Sequence, residues 1–169
     1  MIRLARDDDW PAIPGVHRIA FGDHGDDVAR LVVELRERAD LYMPELSFVA
    51  EEDGIVVGHA MNTWNWIDET GERVLQFSPL GVLPAYQRRG HGSGLVRASL
   101  EAVRATGEPM LILEGNPAYY GRFGFVRADE LGLLPPPECL HDSAFQVAVL
   151  DPDATLPQGR VVYSEPFRH

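Results

Sequence analysis

With 169 residues, 45% hydrophobic and 24% charged, the chain has the size and composition of one globular domain, residues 1–169. Its net charge of −11 repels polyanions, so no nucleic-acid partner is expected, and because all 15 basic residues are Arg, a catalytic lysine or Schiff base is excluded. No signal-peptide core or apolar run near the ~20 residues of a membrane span occurs, and Cys139 is the single cysteine. The expectation is a cytoplasmic protein with no membrane partner, no disulfide and no metal site.

In chain order, Ile2 to Arg6 reads as a short strand, after which Asp7, Asp8 and Asp9 offer caps for a helix through about Ala20, with Pro14 and Gly15 weakening its middle. Gly22 to Gly25 is a loop. From Asp26 to Ala39, Val28, Leu31, Val32 and Leu35 recur at helical spacing opposite Arg30, Glu34 and Glu37. Ser47–Glu51 and Ile55 to about Trp64 are strand-like around Asp53-Gly54, a hairpin dipeptide, and His59 within them reads as a structural histidine. Trp66 to Arg73 is a turn, and Val74 to Val82 is a strand in which Pro79, having no N–H for the ladder, predicts a bulge or a splayed edge. A helix over 93–106 carries Val96, Leu100 and Val103 on one row; a buried strand at Met110–Leu113 then implies a right-handed parallel crossover. Pro117–Phe123 is a short helix, and 144–150 and 159–163 are closing strands after the Pro-rich linker 135–137.

The most informative segment is Val82-Leu83-Pro84-Ala85-Tyr86-Gln87-Arg88-Arg89-Gly90-His91-Gly92-Ser93-Gly94. A glycine-rich bend at a helix N-terminus presents backbone N–H groups that lack intrahelical partners, together with the positive end of the helix dipole, which suits a phosphate. The dinucleotide fingerprint fails because the glycines fall at 90, 92 and 94; the Walker loop fails for want of a lysine; a nucleophile elbow fails because His91 stands where its first Gly belongs. The pattern that fits is Q/R-x-x-G-x-G/A, filled by Gln87, Arg88, Arg89, Gly90, His91 and Gly92.

This segment resembles motif A of the Gcn5-related N-acetyltransferase (GNAT) family, whose loop holds the pyrophosphate of acetyl-CoA. Glu114-Gly115-Asn116-Pro117-Ala118-Tyr119-Tyr120-Gly121-Arg122-Phe123-Gly124-Phe125 is similar to motif B, and its short form looks like that of a bacterial, YhbS-like subgroup. Together the similarity runs from about Val74 to Phe125. One departure is that many members carry an Asn seven positions before the motif's Tyr, where this chain has Leu113; its Asn116 sits four before Tyr120.

The resemblance implies an α/β (α+β) fold: a mixed central sheet of about six to seven strands flanked by about four helices, splayed at its two central parallel strands. It also implies an enzyme that moves acetyl from acetyl-CoA, its cosubstrate, to a primary amine of a small molecule or a protein N-terminus. Tyr120 takes the place of the family's general acid for the leaving thiolate. By the same resemblance Leu80, Val82, Gln87, Arg88, Arg89, Gly90, His91, Gly92, Ser93, Asn116, Tyr119 and Phe123 face the cosubstrate, with a backbone N–H near Val82 as oxyanion donor. Asn116 equally suits a cap before Pro117. From its place beside the site Glu114 is a candidate base, acting directly or through water, and equally a solvated or salt-bridged carboxylate, while Asp68 and Glu69 are alternative recognisers of a cationic acceptor. An acyl-CoA-binding sensor with the same fold but no turnover is the second reading. Trp64, Trp66 and Phe167 suit either a core or the seam of a homodimer.

Overall fold

A computed structural model describes residues 1–168. Its regular elements are β1 (Ile2–Leu4), α1 (Ile13–Ala20), α2 (Gly25–Arg36), β2 (Tyr42–Glu52), β3 (Ile55–Ile67), β4 (Arg73–Val82), α3 (His91–Ala105), β5 (Met110–Glu114), α4 (Pro117–Tyr120), β6 (Val126–Arg127), β7 (Leu133–Leu134), β8 (Phe145–Val149) and β9 (Gly159–Val162). Hydrogen bonding follows the order β1-β2-β3-β4-β5-β8-β6, with β9 on β3 and β7 on β9, nine strands in all among the described residues. The β4–β5 and β7–β9 pairs are parallel, while β1–β2, β2–β3, β3–β9, β5–β8 and β6–β8 are antiparallel. A mixed sheet with four α-helices is therefore what the chain forms; β6 and β7, two residues each, are additional to the expected strands.

The chain divides into two compact units, Met1–Thr63 with Ser78–Ala102, and Trp64–Phe77 with the chain from Val103 onward, so that β3 and β4 each contribute to both. In the first unit the helix expected from Asp7 starts only at Ile13. Asp9 is engaged elsewhere: its carboxylate accepts two hydrogen bonds from the Arg3 guanidinium, at 2.7 and 2.9 Å, and one from the Arg6 backbone N–H at 2.7 Å. The last of these bonds is the side-chain half of a capping box at Arg6, so Asp7 to Asp9 close into a capped single 3-10 turn while the charge-assisted, bidentate Arg3 bonds hold it in place. The α2 stripe is as expected, with Val32 and Leu35 fully buried, each stabilising the unit by roughly 2 kcal/mol. On β3, Asn62 donates to the Ser99 hydroxyl of α3 at 2.9 Å, which ties that helix to the strand.

A row of buried polar groups crosses the same unit. His17 of α1 and His59 of β3 are both fully buried; their Nε2 and Nδ1 share a hydrogen at 2.8 Å, and His59 Nε2 meets the Ser47 hydroxyl at 3.0 Å. The Trp10 ring stands edge-on to His59 with centroids 5.5 Å apart. His59 is thus the structural histidine the sequence suggests, and His17 is its partner.

The second unit has its own core of Ile67, Val74, Met110, Ile112, Phe145, Val147, Val161 and Tyr163, against which Phe167 packs. Trp64 is 7% exposed beneath the Arg73 guanidinium, 4.1 Å from its ring centroid, so both Trp64 and Phe167 serve the interior of this unit. Parallel β4 and β5 register at Gln76 and Ile112, whereas β5 and β8 register over five consecutive pairs from Met110–Val149 to Glu114–Phe145. Buried Asn65 donates to the Gln76 side-chain oxygen and accepts the Ser164 N–H at 2.7 Å, so its amide is engaged at both ends inside the sheet.

Burial pulls His17 down from 6.5 to about 4 and holds His59 well below its usual range. Between those values the unfolded chain binds a proton that the folded chain refuses, so this contribution is complete above pH 6.5 and is lost as pH falls toward 4. For His17 alone it amounts to about 3 kcal/mol. Urea denaturation at pH 7 and pH 4.5 should register the drop, and His17→Leu should make it shallower; an equal drop in that variant would place the acid sensitivity elsewhere.

Candidate functional site

Two clusters carry the residues singled out from the sequence, one in each unit. In the first, β4 gives way to α3 through a turn built on positive φ angles: Arg88 at +63° and Gly90 at +88°. Backbone bonds set the approach, from Leu83 N–H to Val57 O at 2.8 Å and from Tyr86 N–H to Leu83 O at 2.8 Å. The ladder of α3 opens where Gly94 N–H donates to Gly90 O at 2.9 Å. The N–H groups of His91, Gly92 and Ser93 therefore lie in the first helical turn, where geometry supplies no intrahelical acceptor and where the dipole favours an anion.

The side chains of this loop divide between scaffold and opening. Gln87 Nε2 donates to the Val82 carbonyl at 3.1 Å. Glu52, at the end of β2, grips both flanks of Gly90: one oxygen accepts from Arg89, the other pairs with His91 Nε2 at 2.7 Å. His91 first, and Arg89 after it, hold the Glu52 carboxyl below the usual carboxylate range. The Arg89 guanidinium also lies over the Tyr86 ring, 5.1 Å from its centroid. The two arginines that read as a pair in the sequence thus have separate roles: Arg89 is bound into the loop, while exposed Arg88 has no partner among the described residues. Leu80 and Val82 are half-buried on β4.

In the second unit, Asn116 accepts the Ala118 N–H at 2.9 Å with Pro117 following it, which is a helix cap, so the role that competes with ligand contact is realised. Four residues of α4 then deliver Tyr119 and Tyr120. The Tyr120 ring meets Phe77, Tyr119 and Phe125 edge-on at 6.3, 4.8 and 6.0 Å, and lies so close to Gly115 that a Cβ there would stand 2.5 Å from it. Burial, then the neighbouring Tyr119, pushes the Tyr120 hydroxyl up to about 12. It is a neutral phenol across the physiological range, the form in which a tyrosine donates a proton. Tyr119 packs on Phe123 at 5.4 Å and lies under the Arg122 guanidinium at 4.4 Å.

Glu114, exposed at the last position of β5, accepts a hydrogen bond from the Tyr163 hydroxyl at 2.9 Å. Nothing local in the chain marks Tyr163: a tyrosine just past a closing strand has the same local pattern whether its hydroxyl is used or not. Of the alternative acidic residues, Glu69 accepts the Arg160 N–H of β9 at 3.1 Å, a structural engagement. Among the described residues no group of three or more His, Cys, Asp or Glu is arranged to hold a metal, and no helix is long and apolar enough to cross a membrane.

A phosphate-ready strand-to-helix turn and a neutral tyrosine on a short helix beyond the next strand mark an acyltransferase arrangement, and residues 1–128 match the family described as Acetyltransferase (GNAT) domain. The chain belongs to the GNAT acetyltransferase family. It is 33% identical over 174 residues to the N-acetyltransferase YhbS of Escherichia coli K12, covering 99% of this chain and 98% of that protein. The crystal structure of E. coli YhbS in complex with CoA superposes with a TM-score of 0.88 at 32% identity, covering 100% of this chain and 92% of that one. A GNAT family acetyltransferase from Brucella melitensis, solved with acetyl-CoA, gives 0.80 at 32% identity, covering 99% and 97%.

Because Gly90 sits at φ +88°, Gly90→Val should cost the fold about 1–3 kcal/mol. A lowered urea midpoint would register it, and an unchanged midpoint would show that the turn tolerates a side chain.

Proposed function

We propose that the chain transfers the acetyl group of acetyl-CoA to a primary amine of a small molecule or a protein N-terminus, by direct attack of the amine on the thioester. The observation that carries this reading is the joint retention of the Gln87–Gly92 loop and of a neutral Tyr120. Support also comes from relatives at 32% identity solved with CoA and with acetyl-CoA. In this reading the N–H groups of His91, Gly92 and Ser93 and the Arg88 guanidinium take the pyrophosphate, while Gln87, Arg89 and His91 keep the loop in shape around Gly90. Leu80 and Val82 follow the pantetheine arm, a backbone N–H near Val82 meets the developing oxyanion, and Asn116, Tyr119 and Phe123 border the cosubstrate. Glu114 is the base and Tyr120 the acid. Residues 1–169 act as one acetyltransferase domain, in the cytoplasm where acetyl-CoA is made.

The test is thiol release from acetyl-CoA across a panel of tyramine, spermidine, a free amino acid and a peptide with an unblocked N-terminus. Tyr120→Phe should lower turnover about 100-fold while acetyl-CoA still raises the melting temperature as it does for the unaltered protein. Full turnover in that variant would remove Tyr120 from the reaction, and the absence of any melting shift in the unaltered protein would sink the whole reading.

A further inference from the structure

Glu114 is exposed, yet it is not simply solvated: its partner hydroxyl belongs to Tyr163, which is only 5% exposed, and burial, aided by the carboxylate's negative charge, pushes that phenol well above its usual range. A buried donor aimed at a surface carboxylate fixes one acceptor site of the carboxylate and leaves its remaining lone pairs in a defined direction. Half-buried Cys139 shares this space: it packs on the same core as Tyr163, and its thiol is pushed up by burial and further by the charge of Glu114. Glu114 is followed directly by Gly115, whose missing side chain makes room for the Tyr120 ring. Along the chain, Gly115 and Asn116 separate Glu114 from α4, which carries Tyr120 at its last position.

We propose that Tyr163 is a positioning residue that holds Glu114 for a cationic acceptor, so that the carboxylate both docks the ammonium and accepts its proton. This rests on the acetyl-transfer reading and supplies its amine side. An N–H bond of the ammonium breaks and an O–H bond forms on Glu114. The freed lone pair makes the new N–C bond as the C–S bond breaks. Tyr120 gives its proton to the departing sulfur and regains one from the acylated nitrogen, and Glu114 returns its proton to water. The net products are amide, thiol and one proton.

Tyr163→Phe keeps the ring and removes only the hydroxyl. With the best amine of the panel, kcat/KM for the amine should fall about tenfold, with KM for acetyl-CoA and the acetyl-CoA melting shift unchanged; Glu114→Asp, too short to reach the phenol, should behave alike. Unchanged amine kinetics in Tyr163→Phe, or an equal rise in KM for acetyl-CoA, would each overturn the proposal. Failure of the unaltered protein to acetylate any amine would instead overturn the function on which it rests.

Discussion

The structure depends above all on the reversal by which β4 becomes α3. Between Val82 and His91 the chain must leave a sheet and start a helix with its first N–H groups unobstructed, and it does so through left-handed backbone at Arg88 and Gly90. At Gly90 that conformation costs nothing in sterics; at Arg88 it costs on the order of 1 kcal/mol and needs support. Glu52 supplies it by bonding to Arg89 and His91, one residue to each side of Gly90, while Gln87 returns to Val82. Acidic Glu52 beside the positive end of the α3 dipole shares its charge between two partners.

The same division between holding and acting recurs in the second unit. Asn116 caps, Gly115 yields space and Phe77 and Phe125 pack, so that one hydroxyl, that of Tyr120, is left neutral in an apolar setting. Tyr163 does for Glu114 what the aromatic cluster does for Tyr120, by a hydrogen bond instead of by packing. In both clusters most of the named side chains serve geometry, and few remain free for a ligand.

Local signals were readable in the sequence wherever the responsible partner is near in the chain. The α2 stripe, the Asp53-Gly54 hairpin, the α3 amphipathic row and the glycine loop all belong to this class. Misreadings arose where a distant group decides. Asp9 looked like a helix cap, but its carboxylate is taken by the Arg3 guanidinium, which Glu51 of β2 holds from far along the chain. Trp66 and Ile67 looked like turn residues because their strand partners, Val162 and Val161, lie near the other end of the chain. The loop's residues were legible as a set, but not that Arg88 is open and Arg89 bound, since the difference lies in a φ angle and in Glu52. Tyr163 was illegible for the same reason: its role is defined by Glu114, brought near only by the sheet.

Helix α4 is four residues long, less than the length at which helical hydrogen bonding becomes cooperative. It has one side-chain cap and no stability of its own, so its order is borrowed from the rings around Tyr120. Whatever loosens Phe77 or Phe125 loosens Tyr120 as well, and amide exchange at Tyr119 and Tyr120 would follow the opening of that aromatic cluster rather than global unfolding. The Tyr120 hydroxyl therefore sits on one of the least self-sufficient segments of the chain, held there by a few ring contacts.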